Sequence, residues 1–355
     1  MPIPWLDDRF GFYAVPGDFS ISQSKVFRSG RIYGMDVSSG AAVVAALFSC
    51  RSQDTDNMHM HMRVLDLCCS PGLKLCMMAD LLSPSSTIVG VDISDRRLAL
   101  CKNIVKKYHV DPETSGHASA PNGPRIRLYC ADGTSFGQDP DPQVVFDSVV
   151  ATEQQKTTGK RKRMNKSARA RERKRLRHLS SLDKHTSTIK SDEKASPLTI
   201  KPFDLVLVDA ECSTDGSLKH VQQRLMKRAS STTGSDDNAT ASNPTLTDPE
   251  KLKALVKLQK DLILSGFNLL KPGGILVYST CSLSIEQNES IVKWLLVNHQ
   301  DSFVIPVKFP LAENNRIRDG TVEGTLRFLP VTDSAASLYG GGFFLAKIGK
   351  RALGA

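Results

Sequence analysis

Long apolar runs are missing from this sequence. No stretch approaches the roughly 20 consecutive apolar residues that cross a bilayer. The N-terminus "MPIPWLDDRF" has two aspartates and no basic region followed by an apolar one, so it resembles neither a secretory signal nor an Arg-rich transit peptide. We therefore expect no membrane partner and an intracellular protein.

Paired cysteine motifs are also missing. None of the eight cysteines forms a CxxC pair, and no Cys/His cluster has zinc-finger spacing. We therefore predict no metal site and a reducing compartment. Cys50, Cys76, Cys101 and Cys130 fall within apolar runs, where cysteine commonly acts as a small core residue.

Positive charge is concentrated in one segment. The formal net charge is +10, and residues 156–177, "KTTGKRKRMNKSARARERKRLR", contain twelve Lys/Arg and one acid, Glu172, or +11. The difference, 10 − 11, leaves −1 for the rest of the chain. Such a segment suits contacts with nucleic-acid phosphates, and "KRKR" and "RERKRLR" equally suit a nuclear or nucleolar localisation signal. It has no aromatic residue, which excludes base stacking as its role.

Strand and helix patterns alternate along the chain. Apolar, β-branched runs predict strands at Arg63–Cys68, Ser86–Ile93, Arg125–Asp132, Phe203–Glu211, Gly274–Cys281 and Gly341–Ile348. Helical periodicity separates them at residues 35–48, 74–82, 94–108 and 248–270, with Ser94 and Asp248 as expected N-caps. This alternation predicts a doubly wound, Rossmann-like α/β sheet with parallel strands covered on both faces.

The predicted organisation is one interrupted domain. Residues 1–60 form a short N-terminal extension packing on a core at 61–349. Three polar segments interrupt this core: a loop at 109–124, a disordered basic insert at about 149–196, and a Ser/Thr-rich loop at about 229–247.

Polar and thiol side chains follow four of the predicted strands. The first predicted strand is followed by the Pro71-Gly72 turn. Asp92 and Asp132 lie at the ends of the second and third, and Asp209 and Cys212 at the end of the fourth. Asp92 and Asp132 each suit ribose hydroxyls, or equally a favourable charge at the start of a helix. Because ligands bind at the carboxyl ends of such strands, these groups outline a nucleoside-cofactor site. The missing GxGxxG argues against a dinucleotide, and "LKPGGILVYS" is typical of S-adenosylmethionine-dependent methyltransferases.

The stretch "YSTCSLSIEQNE", residues 278–289, places a second cysteine beside that site. Cys281 ends the fifth predicted strand, and Ser284 and Gln287 have the spacing of a capping box before the helical pattern "IVKWLL". The position at a strand tip, flanked by small polar residues, favours a catalytic thiol over core filler.

Three of these motifs together resemble one family. "DLCCSPGLK" (66–74), "DAECSTDG" (209–216) and "YSTCSLSIEQNE" are similar to the "DLCAAPGGK", "DAPCSG.G" and "YSTCS...EEN" of the RsmB/NOP/SUN family of RNA cytosine-5 methyltransferases. The C-terminal "RFLP…GGFFLAKI" resembles the closing strand pair of that family. The resemblance covers most of residues 34–348 outside the three interruptions.

The resemblance implies a class I methyltransferase core that uses S-adenosyl-L-methionine to methylate carbon 5 of a cytosine in tRNA or rRNA. Cys281 would be the nucleophile that adds to carbon 6, Asp209 would hold the pyrimidine edge, and Cys212 would assist release. Lys74 would support the thiolate electrostatically. The implied cofactor-binding residues are Cys68, Cys69, Ser70, Pro71, Gly72, Leu73, Lys74, Asp92, Arg97, Asp132 and Asp209.

Two substitutions depart from the family motifs. Glu211 replaces the proline of "DAPC" and adds a carboxylate beside Cys212, and Leu73 replaces the second glycine of "PGGK". They motivate an alternative function, a methyltransferase-like RNA-binding or ribosome-assembly factor with little turnover. For location, the basic insert favours the nucleus or nucleolus, with the cytoplasm and mitochondrion left open.

Overall fold

A computed structural model describes residues 12–13, 15, 19–47, 61–110, 123–138, 142–152, 201–217, 221, 226, 248–307, 309, 317–330 and 341–352. The basic insert from residue 153 onward, the predicted loop at 229–247 and Cys50 lie outside these residues. The domain boundaries therefore remain a prediction.

One mixed sheet organises the described residues. Its strands are β1 Arg63–Asp66, β2 Thr87–Asp92, β3 Arg125–Cys130, β4 Gln143–Asp147, β5 Phe203–Asp209, β6 Leu270–Thr280, β7 Ser302–Val304, β8 Ile317–Asp319, β9 Leu326–Phe328 and β10 Phe343–Lys350. The order across the sheet is β4-β3-β2-β1-β5-β6-β10-β9-β8, with β7 also paired to β10. Strands β3, β2, β1, β5 and β6 are parallel, and the flanking pairs are antiparallel.

The chain reverses its direction of travel across the sheet at β1. It runs outward through β2 and β3 on one side, and returns to place β5 and β6 on the other. This reversal opens a crevice beyond the carboxyl ends of β1 and β5, where open α/β sheets bind ligands. The predicted doubly wound fold is confirmed.

The helices are α1 Lys25–Arg28, α2 Val37–Leu47, α3 Leu73–Leu81, α4 Asp95–Val105, α5 Pro249–Leu269 and α6 Glu289–Asn298, with a π-helical turn at Lys106–Val110 after α4 and a 3-10 turn at Ile21–Gln23. Both predicted caps are confirmed. The Ser94 hydroxyl accepts from Arg97 N at 3.4 Å, and Asp248 Oδ1 accepts from Glu250 N at 3.1 Å. No helix among the described residues is both long and apolar enough to cross a membrane.

Helices cover both faces of the sheet because the central strands are apolar on both sides. Along β5, Leu205 and Leu207 point into one hydrophobic cluster, and Val206 and Val208 into the other. Helix α2 is almost fully buried and packs against α3, β6 and β10. The two clusters fix the sheet rigidly beneath the crevice.

Three strands were not predicted. Strand β4 pairs antiparallel with β3 at the sheet edge, and its Asp147 binds the guanidinium groups of Arg125 and Arg127 at 2.6 and 2.9 Å. Residues 148–152 continue as a helix, and the start of the insert at about 149 remains a prediction. Strands β7 and β8 have three residues each, too few to show a periodic pattern.

Two local predictions around β6 are also wrong. The strand begins at Leu270 and not at the predicted Gly274, and its "KPGG" segment forms a bulge, since Phe203 pairs with Leu270 and Leu205 with Ile275. The Ser284/Gln287 capping box does not form: α6 begins at Glu289 after Asn288, because the Gln287 amide instead bonds Ser213. The predicted pairing of the closing strands is confirmed between β9 and β10.

Candidate active site

A cavity of about 620 Å³ lies at the carboxyl edge of β1, β2, β5 and β6. Residues that follow each of these strands line it, together with the N-terminal turn of α2, one face of α5 and the start of β10. Its volume falls within the range of small-molecule and cofactor sites. The strand ends thus bring predicted groups from four separate motifs into one space.

Asp92, the last residue of β2, has an unsatisfied oxygen in this cavity. Its side chain is 3% exposed, and Oδ1 accepts from Ser94 N at 3.0 Å. Oδ2 lies 3.4 Å from Arg97 Nη2 without hydrogen-bond geometry and has no hydrogen-bond partner among the described residues. A buried carboxylate oxygen without a hydrogen bond is costly, so Asp92 Oδ2 is free to accept from a donor that enters the cavity.

Neighbouring residues complete this half of the cavity. The Ser70 hydroxyl is buried and also has no partner within the described part of the chain, and Arg97 Nη2 donates to the Ser70 carbonyl at 3.3 Å. Asp132 lines the cavity, although its Oδ1 already accepts from Thr134 N at 2.9 Å and Thr134 Oγ1 at 2.8 Å. Asp132 therefore stabilises the turn at residues 132–134 and also lines the cavity.

The apolar walls were missed by sequence reasoning. Ile93 is 69% exposed in the cavity mouth, and Leu258 and Leu262 of α5 form another part of the lining. Ile93 directly follows Asp92, and its position at the end of a predicted strand was the signal available in the sequence. Leu258 and Leu262 resembled ordinary core positions of an amphipathic helix.

Five predicted cofactor residues, Cys69, Pro71, Gly72, Leu73 and Lys74, do not line the cavity. Cys69 is buried in the core, where a hydrogen bond with Cys101 and then burial raise its pKa. Gly72 has φ +104°, and a Cβ there would lie 2.6 Å from Cys101 Sγ, so this glycine serves the packing of α3 against α4. Leu73 begins α3 and needs no glycine-like backbone, so this departure from the family motif causes no strain.

Lys74 bonds to Asp209 behind the cavity. Its Nζ lies 2.5 Å from Asp209 Oδ2, and Ser279 Oγ donates to Oδ1 at 2.9 Å. Burial lowers the pKa of Lys74, but the Asp209 carboxylate outweighs it and leaves that pKa raised. Lys74 is therefore a cation that neutralises Asp209.

Asp66 lies buried beneath this pair. Burial raises its pKa to about 7, against the opposing effect of Lys74. Its Oδ1 accepts from Cys68 N at 3.2 Å and so shapes the turn that follows β1. Burial likewise raises the pKa of the Cys68 thiol, so the protonated form of this thiol is favoured at rest.

The two predicted catalytic cysteines meet. Cys212 Sγ and Cys281 Sγ are 2.9 Å apart, both thiols are free, and both residues line the cavity. The hydrogen bond with Cys212, followed by burial and the carboxylates of Asp209 and Asp215, raises the pKa of Cys281. This direction is opposite to the activation expected from Lys74, because that ammonium is bonded to Asp209.

Close backbone contacts hold both cysteine loops. Gly216 N donates to the Cys281 carbonyl at 3.0 Å, and Gly342 N donates to the Gly216 carbonyl at 2.7 Å. A Cβ on Gly216 would lie 2.7 Å from Gly342 O, so only glycine fits there. Thr214 has φ +56°, a left-handed conformation that favours glycine, and it occupies the first glycine position of "DAPCSG.G".

The strand order and a cofactor-sized cavity at the strand ends define a class I methyltransferase fold. A sequence profile of 16S rRNA methyltransferase RsmB/F matches residues 147–348, more than half of the chain. The chain belongs to this family, which confirms the resemblance, and the cofactor of the family is S-adenosyl-L-methionine. The unsatisfied Asp92 oxygen, the Ser70 hydroxyl and the apolar walls fit such a cofactor.

Curated relatives match all or part of the chain. Ribosomal RNA small subunit methyltransferase F of Pectobacterium carotovorum is 32% identical over 151 residues, 42% of this chain and 26% of that protein. The protein of the same name from Aeromonas hydrophila is 23% identical over 353 residues, 98% of this chain and 52% of that protein. The chain thus spans at most about half the length of these two relatives.

Solved structures share the fold. NSun6 from Pyrococcus horikoshii, crystallised with SFG, has a TM-score of 0.54 at 18% identity, covering 93% of this chain and 56% of its own. A methyltransferase homolog from the same organism has a TM-score of 0.50 at 20% identity, covering 94% of this chain and 72% of its own. At these identities the structures support the fold alone.

The relatives also correct one prediction. A nuclear or nucleolar location, inferred from the basic insert, is contradicted because these curated relatives are bacterial proteins, and bacteria have neither compartment.

Proposed function

We propose that this chain transfers a methyl group from S-adenosyl-L-methionine to carbon 5 of a cytosine in RNA, either small-subunit rRNA or tRNA. One observation carries the proposal: two free thiols, 2.9 Å apart, share a single cavity with the unsatisfied carboxylate of Asp92. One end of the cavity suits a nucleoside cofactor, and the other suits covalent chemistry on a base.

Cys281 performs the first step. Carbon 5 of cytosine is a poor nucleophile, so the Cys281 thiolate adds to carbon 6 and the electron pair of the 5,6 double bond moves into an enamine-like system. Asp209 holds the polar edge of the pyrimidine, with Lys74 and Ser279 fixing its carboxylate. Because the pKa of Cys281 is raised at rest, its proton must be given up as the sulfur adds to carbon 6, and a proton is taken up at ring nitrogen 3 beside Asp209, so that a neutral enamine forms.

Carbon 5 then takes the methyl group, which the cofactor supplies as an electrophile on its sulfonium. Asp92 would accept from the ribose hydroxyls, and Cys68, Ser70, Arg97 and Asp132, which line the same cavity, would hold the rest of the cofactor. The carbon-5 proton then leaves to water and its bonding electrons re-form the 5,6 double bond, while the pair of the bond between Cys281 and carbon 6 stays on the sulfur and the proton on ring nitrogen 3 is given back. Cys212, in contact with the Cys281 sulfur, assists this release.

The target cytosine must leave its helix to reach these thiols. Unstacking costs least for a base in a loop, so we propose an unpaired or easily opened target. We further propose that the basic segment 156–177 contacts RNA phosphates, since its cations are available for sequence-independent binding.

Adduct trapping tests the proposed function. Wild type, Cys212→Ala and Cys281→Ala are incubated with labelled cofactor and unmodified transcripts of 16S rRNA, of tRNAs, or matching DNA oligonucleotides. We expect wild type to form 5-methylcytosine in RNA, Cys212→Ala to retain RNA in an adduct that survives denaturation, and Cys281→Ala to do neither.

The opposite result identifies the alternative function. RNA binding by wild type without label or adduct in any transcript would overturn the proposal and favour a ribosome-assembly factor. Labelling of DNA but not RNA would overturn the substrate class. A labelled cytosine deep in an undisturbed duplex would overturn the requirement for an open target.

A further inference from the structure

Two buried glutamine side chains hold the backbone on either side of Cys212. Gln259 is fully buried in the middle of α5, and its Nε2 donates to the Glu211 carbonyl at 2.8 Å. Gln287, also fully buried, accepts from Ser213 N through Oε1 at 3.0 Å. The residues directly before and after the thiol are therefore each fixed by a side-chain amide.

The two glutamines also bind one another and reach the loop of Cys281. Gln259 Nε2 lies 3.3 Å from Gln287 Oε1, and Gln287 Nε2 donates to Ser213 Oγ at 2.9 Å. Ser213 Oγ in turn lies 3.0 Å from Ser282 Oγ, in the residue that follows Cys281. One continuous network thus connects α5, the Cys212 loop and the Cys281 loop.

Packing alone does not account for a glutamine at position 259. Its Oε1 is buried and has no hydrogen-bond partner among the described residues, a cost that an apolar side chain of the same length would avoid. The surrounding α5 positions Leu262, Ile263 and Phe267 are apolar and buried. The role of the amide is therefore the hydrogen bond from Nε2 to the Glu211 carbonyl, next to Cys212.

We propose that Gln259 and Gln287 are positioning residues for Cys212, holding its sulfur against the Cys281 sulfur during release of the methylated base. The proposal rests on the proposed function. It assigns the pair to release because their bonds fix residues 211 and 213, whereas Cys281 is reached only indirectly through Ser282. Neither glutamine lines the cavity, so neither contacts cofactor or base.

Single-turnover kinetics on the transcript that wild type methylates in the trapping experiment, 16S rRNA or tRNA, test this assignment. Gln259→Met and Gln287→Met remove the amide at similar volume. We expect methyl transfer in the first turnover at the wild-type rate, cofactor affinity unchanged, and breakdown of the methylated protein–RNA adduct slowed by about 10- to 100-fold, the typical effect of a small displacement of a catalytic group. Ser265→Ala, a change at another buried polar position of α5, should release at the wild-type rate.

A double variant separates positioning from general destabilisation. If Gln259 acts through Cys212, Gln259→Met combined with Cys212→Ala should release RNA no more slowly than Cys212→Ala alone. Additive slowing, equal slowing of transfer and release, or wild-type release in both methionine variants would overturn the assignment. Should a methionine variant fail to fold, the corresponding Asn variant, which shortens the amide by one carbon, gives the same readout.

Two controls distinguish failure of the positioning role of the glutamines from failure of the proposed methyltransferase function. An inactive wild type and a Cys212→Ala variant without adduct would reject the proposed function. An active wild type, a trapping Cys212→Ala variant and glutamine variants with normal release would reject only the positioning role.

Discussion

At the scale of single residues, the Cys281 sulfur is surrounded by groups that favour its protonated form. Cys212 bonds to it, the protein buries it, and the carboxylates of Asp209 and Asp215 face it. Attack on a base therefore requires an event that removes these effects, and entry of the cytosine between Cys281 and its neighbours would separate them. The free protein thus keeps the proposed nucleophile in its thiol form.

This environment predicts a defined thiol reactivity. Alkylation of Cys281 by iodoacetamide should accelerate with pH from 7 to 9 without a plateau, by about tenfold per pH unit, because the thiolate fraction rises in that proportion below the pKa. Cys212→Ala removes the largest cause of the raised pKa, so it should speed alkylation at pH 8. Mass spectrometry of the Cys281 peptide measures both rates.

Cys76 is the internal control for that measurement, because its thiol is fully buried and its pKa is raised by burial. It should stay unmodified in folded protein. A plateau for wild-type Cys281 below pH 8, or slower alkylation in Cys212→Ala, would contradict the predicted environment.

The buried Asp66 carboxyl should make the free energy of unfolding depend on pH. Its pKa rises from 3.8 to about 7 on folding, so the folded state binds more protons and the free energy of unfolding falls as the pH increases from about 4 to about 7. The maximum loss is on the order of 4 kcal/mol, three pKa units at about 1.4 kcal/mol each. Asp66→Asn keeps the acceptor for Cys68 N and should remove this loss, making the variant more stable than wild type at pH 8.

Urea unfolding at pH 5 and pH 8 measures that difference. Asp319→Asn, which changes an exposed carboxylate in β8, is the matched control and should leave the pH dependence unchanged. An Asp66→Asn variant less stable than wild type at pH 8 would show that the carboxylate is stabilised when ionised.

At the scale of elements, an ion pair joins β9, the start of α6 and the Cys281 loop. Arg327 Nε donates to Glu289 Oε1 at 2.6 Å, and its Nη2 bonds the other carboxylate oxygen. Arg327 Nη1 also donates to the Leu283 carbonyl at 2.9 Å. Since Glu289 is fully buried, this guanidinium is the group that compensates its charge.

Removal of Arg327 should therefore cost much more than removal of an exposed arginine. Arg327→Met leaves the Glu289 carboxylate buried and uncompensated, with an expected loss of about 3–5 kcal/mol in the free energy of unfolding. Arg318→Met, at the position paired with Arg327 on β8 but exposed, should change it by less than about 0.5 kcal/mol. Addition of Glu289→Met to Arg327→Met should recover part of the loss in urea denaturation, and no recovery would contradict the account.

The sequence predicted the elements that show regular periodicity. The five parallel strands and the caps at Ser94 and Asp248 follow from local pattern, because burial on both faces and capping chemistry leave a local signature. Strands β4, β7 and β8 do not, because short flanking strands are specified by their pairing partners. Gln287 matched a capping box locally, but its amide bonds Ser213, a contact between residues distant in sequence.

The same division holds within the site. The placement of four residues in one cavity was predictable because the carboxyl ends of parallel strands converge; they are Asp92, Asp209, Cys212 and Cys281. The pairing of Lys74 with Asp209, and the burial of Cys69, depend on side-chain directions that no motif specifies.

At the scale of the whole molecule, charge is divided between a nearly neutral body and the basic segment 156–177, which carries +11 against a total of +10. Exchange of its twelve Lys/Arg for Gln should weaken RNA binding and reduce the slope of log affinity against log salt by about 0.7–0.9 for each phosphate that the variant no longer neutralises. Fluorescence anisotropy with the 16S rRNA transcript at several salt concentrations measures the slope. An unchanged slope would exclude phosphate binding by this segment.

Strand β10 completes the cavity from the far end of the described chain. Gly341, Gly342 and Phe343 line it, and Gly342 fastens the loop that carries Cys212 through Gly216. Translation makes Asp92, Cys212 and Cys281 before β10, and β10 must insert between β6 and β9 to complete this arrangement. A nascent chain in which β10 has not yet been made thus has both thiols but no finished cavity.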